Sequence, residues 1–299
     1  MRELSVVVAS KNARRTIWNC LDALVNQDHS NDVEIVVVDA STDDSAEIAR
    51  QFKQITLVRA DPELLVPELW KMGIERTNGQ SVAFTTASFI PAGNWIAELR
   101  SQLTGEHAAV GGVFEKLAPD RYSQWAIYFL RYAAYLPSTP PHPASQLAAD
   151  NAVYRRWVFE KYAKYLEDGF WEHPVNLALK ADGHSLFLTP ALMVSMGYFG
   201  KPGDFFLHRF YHGRIFGAER TSRASLIKRL FYIIASPLIP LVLLLRVAAN
   251  VLRNKSHLLE FVFSMPWILY YVLGWSSGEF AGYLFGKTQT KPVSARSNS

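Results

Sequence analysis

Three carboxylates fall within six residues, Glu167, Asp168 and Glu172, with Phe170 and Trp171 between them. A carboxylate held beside aromatic rings loses hydration, its pKa rises, and it becomes an effective proton acceptor near neutral pH. The same stretch also reads as a solvated acidic turn ahead of a helix. A second grouping is basic and aromatic, His208-Arg209-Phe210-Tyr211-His212-Gly213-Arg214. Guanidinium groups stay charged and grip phosphate oxygens in pairs, so Arg209, His212 and Arg214 suit a phosphate ester or a lipid headgroup. A third grouping follows the apolar run Ile35-Val36-Val37-Val38, where Asp39 is succeeded by Asp43 and Asp44. At a strand end Asp39 can accept hydrogen bonds from a ligand, whereas Asp43 and Asp44 serve equally well as caps for a helix starting at Ser45.

These groups need a frame, and the hydrophobic pattern supplies one. Residues 4–9, 33–39, 55–59, 81–86 and 108–114 read as strands, and 14–26, 43–53, 63–77 and 94–102 as helices. The first strand, helix and second strand make a βαβ unit, and Ile35 to Val38 read as buried on both faces. Ligands of such sheets sit beyond the carboxyl ends of the strands, which is where Ser10 to Asn12 and Asp39 to Asp44 fall. Further helices are expected over 157–165 and 173–181. No Gly-x-Gly-x-x-Gly follows the first strand, and neither a Walker-type loop nor Gly-x-Ser-x-Gly is present. Those absences argue against a dinucleotide-dependent oxidoreductase, a P-loop enzyme and a serine hydrolase.

Composition points to a membrane. Hydrophobic residues make up 49% of the 299 and charged ones 19%, with 8 Trp, 13 Tyr and 18 Phe. The net charge of +4 arises from a basic excess after residue 200, which suits a segment facing anionic lipid better than nucleic-acid binding. Leu230 to Leu245 and Phe261 to Gly278 are uncharged runs containing Pro237, Pro240 and Pro266. A two-span hairpin with both ends inside is preferred over buried or in-plane helices. The basic residues behind that orientation are Arg220, Arg223, Lys228 and Arg229 before the first run and Lys287, Lys291 and Arg296 after the second, against Arg253 and Lys255 in the connection. Between the zones, Trp125, Phe129, Tyr132 and Tyr135 lie on a helix that is either a core helix or an interfacial one. The lone cysteine, Cys20, fits a reducing compartment and a place in the core of the first helix. Met1-Arg-Glu-Leu enters the first strand directly, without a signal peptide, so the catalytic part is expected in the cytoplasm.

The first motif (Ser5-Val-Val-Val-Ala-Ser10-Lys-Asn12), the second (Val-Val-Val-Asp39-Ala-Ser-Thr-Asp43) and a Gly-Gln-x-Val-Ala-Phe strand together resemble the family-2 inverting glycosyltransferases. The resemblance covers about residues 1–220 and, more loosely, the membrane tail. It implies an α/β fold of the GT-A type, a Rossmann-like, mostly parallel sheet flanked by helices, with membrane-associated helices at the C-terminus. It further implies a glycosyltransferase domain over 1–220, with a nucleotide-sugar half (1–115) and an acceptor half (116–220), then a helical hairpin (221–287) and a disordered tail (288–299). The implied donor is a nucleotide-diphosphate sugar, and the acceptor a lipid-linked or growing saccharide in bacterial surface-polysaccharide synthesis at the inner membrane. Ser10, Asn12, Asp39, Asp43, Thr86, Ser88, Arg209, His212 and Arg214 fall on the donor side. Asp150, Asn151, Arg155 and Trp171 fall on the acceptor side, and Asp168, then Glu172, then Glu167 are the candidates for catalytic base. One motif departs from the family. Where relatives place Asp-x-Asp for a divalent cation, this chain has Thr86-Ala87-Ser88, and hydroxyls are poor ligands for Mg²⁺ or Mn²⁺. The need for Mg²⁺ or Mn²⁺ therefore stays open. The departure leaves a second possibility, a non-catalytic glycosyltransferase-like scaffold in a polysaccharide-assembly complex.

Overall fold

The computed structural model describes residues 3–28, 30–103, 105–116, 120–222 and 224–286. The tail expected to be disordered lies outside them, as do Arg223, Lys287, Lys291 and Arg296. The chain divides into two compact units, Met1–Leu117 with Pro137–Tyr198, and Ala118–Leu136 with Phe199–Ser299.

The first unit is α/β. Strands β1 (Leu4–Ser10), β2 (Glu34–Asp39), β3 (Thr56–Arg59) and β4 (Ser81–Thr86) run parallel in the order β3-β2-β1-β4. All of β1 and all but the first residue of β2 are buried, as continuous β-branched runs require in a sheet covered on both faces. Helices α1 (Ile17–Val25), α2 (Ser45–Ala49), α3 (Val66–Glu75) and α4 (Trp95–Gln102) connect and flank these strands. Beyond β4 the sheet turns mixed. A strand absent from the hydrophobic pattern, β8 (Ala152–Arg155), lies antiparallel to β4. It is followed by β6 (Ala109–Glu115), β9 (Leu186–Met196) and β5 (Phe89–Pro91), with the short β7 (His142–Pro143) pairing β9. The remaining helices of this unit are α6 (Arg156–Lys161) and α7 (Glu172–Ala181).

The second unit is helical, made of α5 (Tyr122–Tyr132), α8 (Pro202–Thr221), α9 (Leu226–Ala235), α10 (Ile239–Asn254) and α11 (Leu258–Phe285). Every residue of α5 from Ser123 to Phe129 is buried, so the aromatic helix is a core helix, with Phe129 edge-on to Phe261 of α11. Glycines join α8 to α11. A Cβ on Gly213 would overlap the Trp275 carbonyl, one on Gly217 the Glu279 carbonyl, one on Gly278 the Phe210 carbonyl, and one on Gly282 the Arg214 carbonyl. Gly213-x₃-Gly217 thus meets Gly274-x₃-Gly278-x₃-Gly282 backbone to backbone, the contact that small residues at a four-residue spacing permit. Residue numbers rise together across this contact, so α8 and α11 run parallel. Glu279 is buried there, accepting from Arg220 at 3.2 Å, from the Trp275 indole at 2.8 Å and from the Tyr283 hydroxyl.

The segments Leu226–Asn254 and Leu258–Phe285 are each long and apolar enough to cross a membrane. They show their apolar side chains outward, Leu226 and Ile227 each being 83% exposed and Phe285 73%. A soluble domain rarely leaves so continuous an apolar surface bare.

Candidate functional site

Strand register sets the site. Ser10 of β1 stands opposite Asp39 of β2, Asp39 opposite Arg59 of β3, and Ala9 opposite Thr86 of β4. The carboxyl ends of four parallel strands therefore deliver Arg59, Asp39, Ser10 and Thr86 side by side. Asp39 is fully buried and already engaged. It accepts from the Arg59 guanidinium, from the Ser41 hydroxyl at 2.7 Å and from the Ser41 amide at 3.2 Å. Arg59 also donates to the Ser41 carbonyl at 3.0 Å. Sequence reasoning missed Arg59, whose only signal is its place at the end of the third apolar strand.

The loops beyond β1 and β2 are stitched together. Asn12 adopts a left-handed backbone at φ 51°, which asparagine tolerates better than most residues. Its amide donates to the Ser41 hydroxyl at 2.8 Å, while its side-chain oxygen accepts from the Thr42 amide at 2.9 Å. Asp43 accepts from the Ser45 amide at 3.1 Å, from the Ser45 hydroxyl and from the Arg14 amide at 3.3 Å. Of the two roles open to it, the geometry matches the local one, an aspartate folding back on the residues that begin α2. Ser10 differs from its neighbours: it is wholly buried and its hydroxyl has no hydrogen-bond partner.

The acidic turn is fastened to the same end of the unit. Lys11, just past β1, donates to the Pro62 and Leu64 carbonyls at 2.9 and 2.7 Å. Its pKa is lowered by burial, against the pull of Glu63, Glu68 and Asp61. The amide of Phe170 donates to the Pro67 carbonyl at 2.7 Å, and Lys71 donates to the Glu167 carbonyl at 3.0 Å. Gly169, at φ +116°, reverses the chain between Asp168 and Phe170. Phe170 is consequently driven into an aromatic cluster with Trp70, Phe84, Tyr154 and Phe159, while Glu167 and Asp168 face outward. The partly dry surroundings expected for these carboxylates are therefore not found: Phe170 turns away from Asp168, and Trp171 is itself 38% exposed. The Trp171 indole donates to the Asp168 carbonyl at 3.2 Å, and Glu172 opens α7, where a helix N-terminus favours negative charge.

The expected acceptor-side residues do not gather in one place. Asp150 and Asn151 lie just before β8, near the carboxyl end of β4, whereas Arg155 pairs with Ser81 at the opposite end. The cause is the antiparallel insertion of β8 beside β4, which carries the chain from the carboxyl end of β4 to its amino end. Arg155 donates there to the Leu103 and Gly105 carbonyls. Asn151 is fully buried and satisfied, accepting from the Trp95 indole at 2.8 Å and donating to the Val113 and Leu192 carbonyls. Cys20 is a core residue whose thiol is pushed up to about 12 by burial, 3.7 Å from the Thr86 carbonyl.

Thr86 ends β4 and Ser88 lies in the turn to β5, and neither offers a carboxylate. Among the described residues no three His, Cys, Asp or Glu side chains converge. With Asp39 held by Arg59, the groups at these strand ends do not fit a divalent cation.

Arg209, His212 and Arg214 lie on α8 of the helical unit. Arg209 stacks over Trp275 at 4.4 Å, and His212 lies against His208 with ring centroids 4.1 Å apart. Arg214 points elsewhere, its Nε donating to the Gly286 carbonyl at 3.4 Å.

Comparison with known proteins fits this geometry. No curated protein sequence matches the chain. A mannosyltransferase, PcManGT from Pyrobaculum calidifontis, solved in complex with GDP-Man and Mn²⁺, superposes with a TM-score of 0.56 at 17% identity. The match covers 95% of this chain and 87% of that one, and it places the fold in the GT-A class. S. aureus TarS 1-349 gives 0.49 at 12% identity, and its complex with UDP-GlcNAc 0.48 at 14%, each over 96% of this chain and 93% of the other. The description "Glycosyl transferase family 2" matches residues 5–163, from β1 past α6 and over more than half of the sequence. On that match the chain belongs to glycosyl transferase family 2.

Proposed function

We propose that this protein is a membrane-associated inverting glycosyltransferase, taking a sugar from a nucleotide-diphosphate donor to a lipid-linked or growing saccharide. Its setting would be the cytoplasmic face of the inner membrane, in bacterial surface-polysaccharide synthesis. The observation that carries the reading is the row of Asp39, Ser10 and Thr86 at the carboxyl ends of three adjacent parallel strands. A nucleoside would sit beyond this row, beside the loop that Asn12 and Asp43 hold in shape, and would reach Asp39 by displacing one of its present partners. The mannosyltransferase neighbour, with its GDP-Man, supports a nucleotide sugar as donor class.

Asp168 is the proposed base, with Glu172 and Glu167 behind it. Its carboxylate is open to an incoming acceptor, on a turn held to the first turn of α3. As the acceptor hydroxyl attacks the anomeric carbon, its proton passes to Asp168. The bond from that carbon to the donor phosphate oxygen breaks, and the nucleoside diphosphate leaves with the electron pair. The new glycosidic bond has inverted configuration. The residues at the strand ends do not form a cation site, so no step is assigned to a metal. The apolar outer faces of α9, α10 and α11 would supply the membrane contact.

The pairing of Asp39 with Arg59 and the hydroxyls at the end of β4 favour a second reading, a non-catalytic scaffold. Saturation-transfer NMR with UDP and GDP, each with and without Mn²⁺, separates the two. Binding is the expected result; no binding under any of these conditions would favour the scaffold.

A further inference from the structure

The groups at the carboxyl ends of β1, β2 and β4 do not fit a divalent cation, yet a donor diphosphate is an anion that gains further charge as the sugar departs. Stabilising that departure calls for positive charge from the protein. Of the cations near these strand ends, Lys11 is committed to the Pro62 and Leu64 carbonyls, and Arg59 to Asp39 and the Ser41 carbonyl. Arg15 is different. It stands between β1 and α1, just after Asn12, with its guanidinium carbon 4.7 Å from the centre of the Tyr198 ring. Its side chain is exposed and makes no hydrogen bond or ion pair with the described residues.

The place of Tyr198 is set by its neighbour. The Gly197 amide donates to the Ser88 carbonyl at 2.8 Å, and a Cβ on Gly197 would meet the Thr16 methyl at 2.7 Å and that same carbonyl at 2.9 Å. Thr16, Ser88 and Gly197 therefore touch, and Arg15 and Tyr198 are their immediate neighbours along the chain. The contact lies in the turn after β4, where the family resemblance leads one to expect Asp-x-Asp. A guanidinium stacked on a ring keeps its planar edge open and gives up little freedom on pairing with phosphate oxygens.

We infer that Arg15, held against Tyr198 beside Ser88, faces the donor diphosphate and supplies the positive charge that a divalent cation would otherwise bring. It would donate N–H bonds to the diphosphate oxygens, while the electron pair of the broken bond to the anomeric carbon stays on the leaving oxygen. Arg15 gives up no proton and remains charged throughout. This role rests on the glycosyltransferase reading above.

The test uses the full chain in neutral detergent micelles and measures uridine, guanosine, UDP and GDP by equilibrium dialysis, each in EDTA and in Mn²⁺. The diphosphate should bind about tenfold or more tightly than its nucleoside, and equally in EDTA and in Mn²⁺. Arg15→Gln should remove about tenfold of the diphosphate affinity and leave the nucleoside affinity unchanged. Arg15→Lys, which keeps the charge without the planar edge, should recover part of the loss. Tyr198→Leu, which takes the ring from the guanidinium, should cost about threefold. Arg14→Gln, which removes the same charge one position earlier, should change little. An Arg15→Gln protein with an intact thermal transition and wild-type diphosphate affinity overturns the inference. So does a tenfold gain from Mn²⁺ that persists in that variant, or an equal loss in Arg14→Gln. In each of these cases bound nucleoside leaves the donor reading standing, whereas no binding of nucleoside or diphosphate removes both.

Discussion

In the α/β unit, Val6, Val7, Val8, Val37 and Val38 are wholly enclosed and polar residues stand at the strand ends. In the helical unit, Glu279, Ser264 and Ser276 are enclosed, while Leu226, Ile227, Phe231 and Ile234 face out. Apolar content alone does not distinguish these arrangements, because it records how much must leave water and not where it goes. In the first unit the protein's own core receives the side chains. In the second, glycine spacing brings two backbones together, and many large apolar side chains face outward. The same contrast separates the two aspartates proposed for the site, Asp39 enclosed and paired, Asp168 open on its turn.

Substitutions in either unit would test this contrast. Asp168→Asn should lower transfer by roughly 10²–10⁴-fold while leaving nucleotide binding nearly unchanged, since only a proton acceptor is lost. Full turnover in that variant, measured by mass spectrometry of product, would remove Asp168 from the chemistry. Gly278→Leu should strike the helical unit alone, because its side chain has no room beside the Phe210 carbonyl; a loss of about 3 kcal/mol is expected. Chemical unfolding followed by Trp fluorescence, alongside UDP or GDP binding, shows whether damage stays in that unit. Asp39→Asn should weaken nucleotide binding by about tenfold and leave Arg59 with a poorer partner, at about 1–3 kcal/mol. Unchanged nucleotide affinity by calorimetry would mean that Asp39 serves Arg59 and not the ligand. The smallest effect concerns Cys20. Its raised pKa keeps the thiol protonated at about pH 8, so a thiol reagent should label it only after unfolding. Rapid labelling of the native protein would show that the α/β core opens more readily than its packing suggests.

The parallel half of the sheet was readable because Val6 to Val8 and Ile35 to Val38 are continuous β-branched runs with polar residues at their ends. Family motifs then pointed to the crevice. Other features depend on partners far away in sequence. Nothing local to Ala152–Arg155 announces an antiparallel strand, so the separation of Asp150 from Arg155 was hidden until the pairing with β4 was known. The inward turn of Phe170 depends on the backbone of Gly169, and the pairing of Asp39 depends on which strand lies beside β2. The glycine spacing on α8 and α11 was present in the sequence, but it becomes informative only when both helices are considered together.

The parallel course of α8 and α11 bears on how this protein can be shortened. Because the helical unit combines Ala118–Leu136 with the C-terminal segment, a chain ending at Thr221 would lose more than an anchor. It would keep α8 with Gly213 and Gly217 uncovered, and α5 with Phe129 stripped of Phe261. Such a fragment would expose a sticky seam where the intact protein has an interior, and its insolubility would say little about lipid.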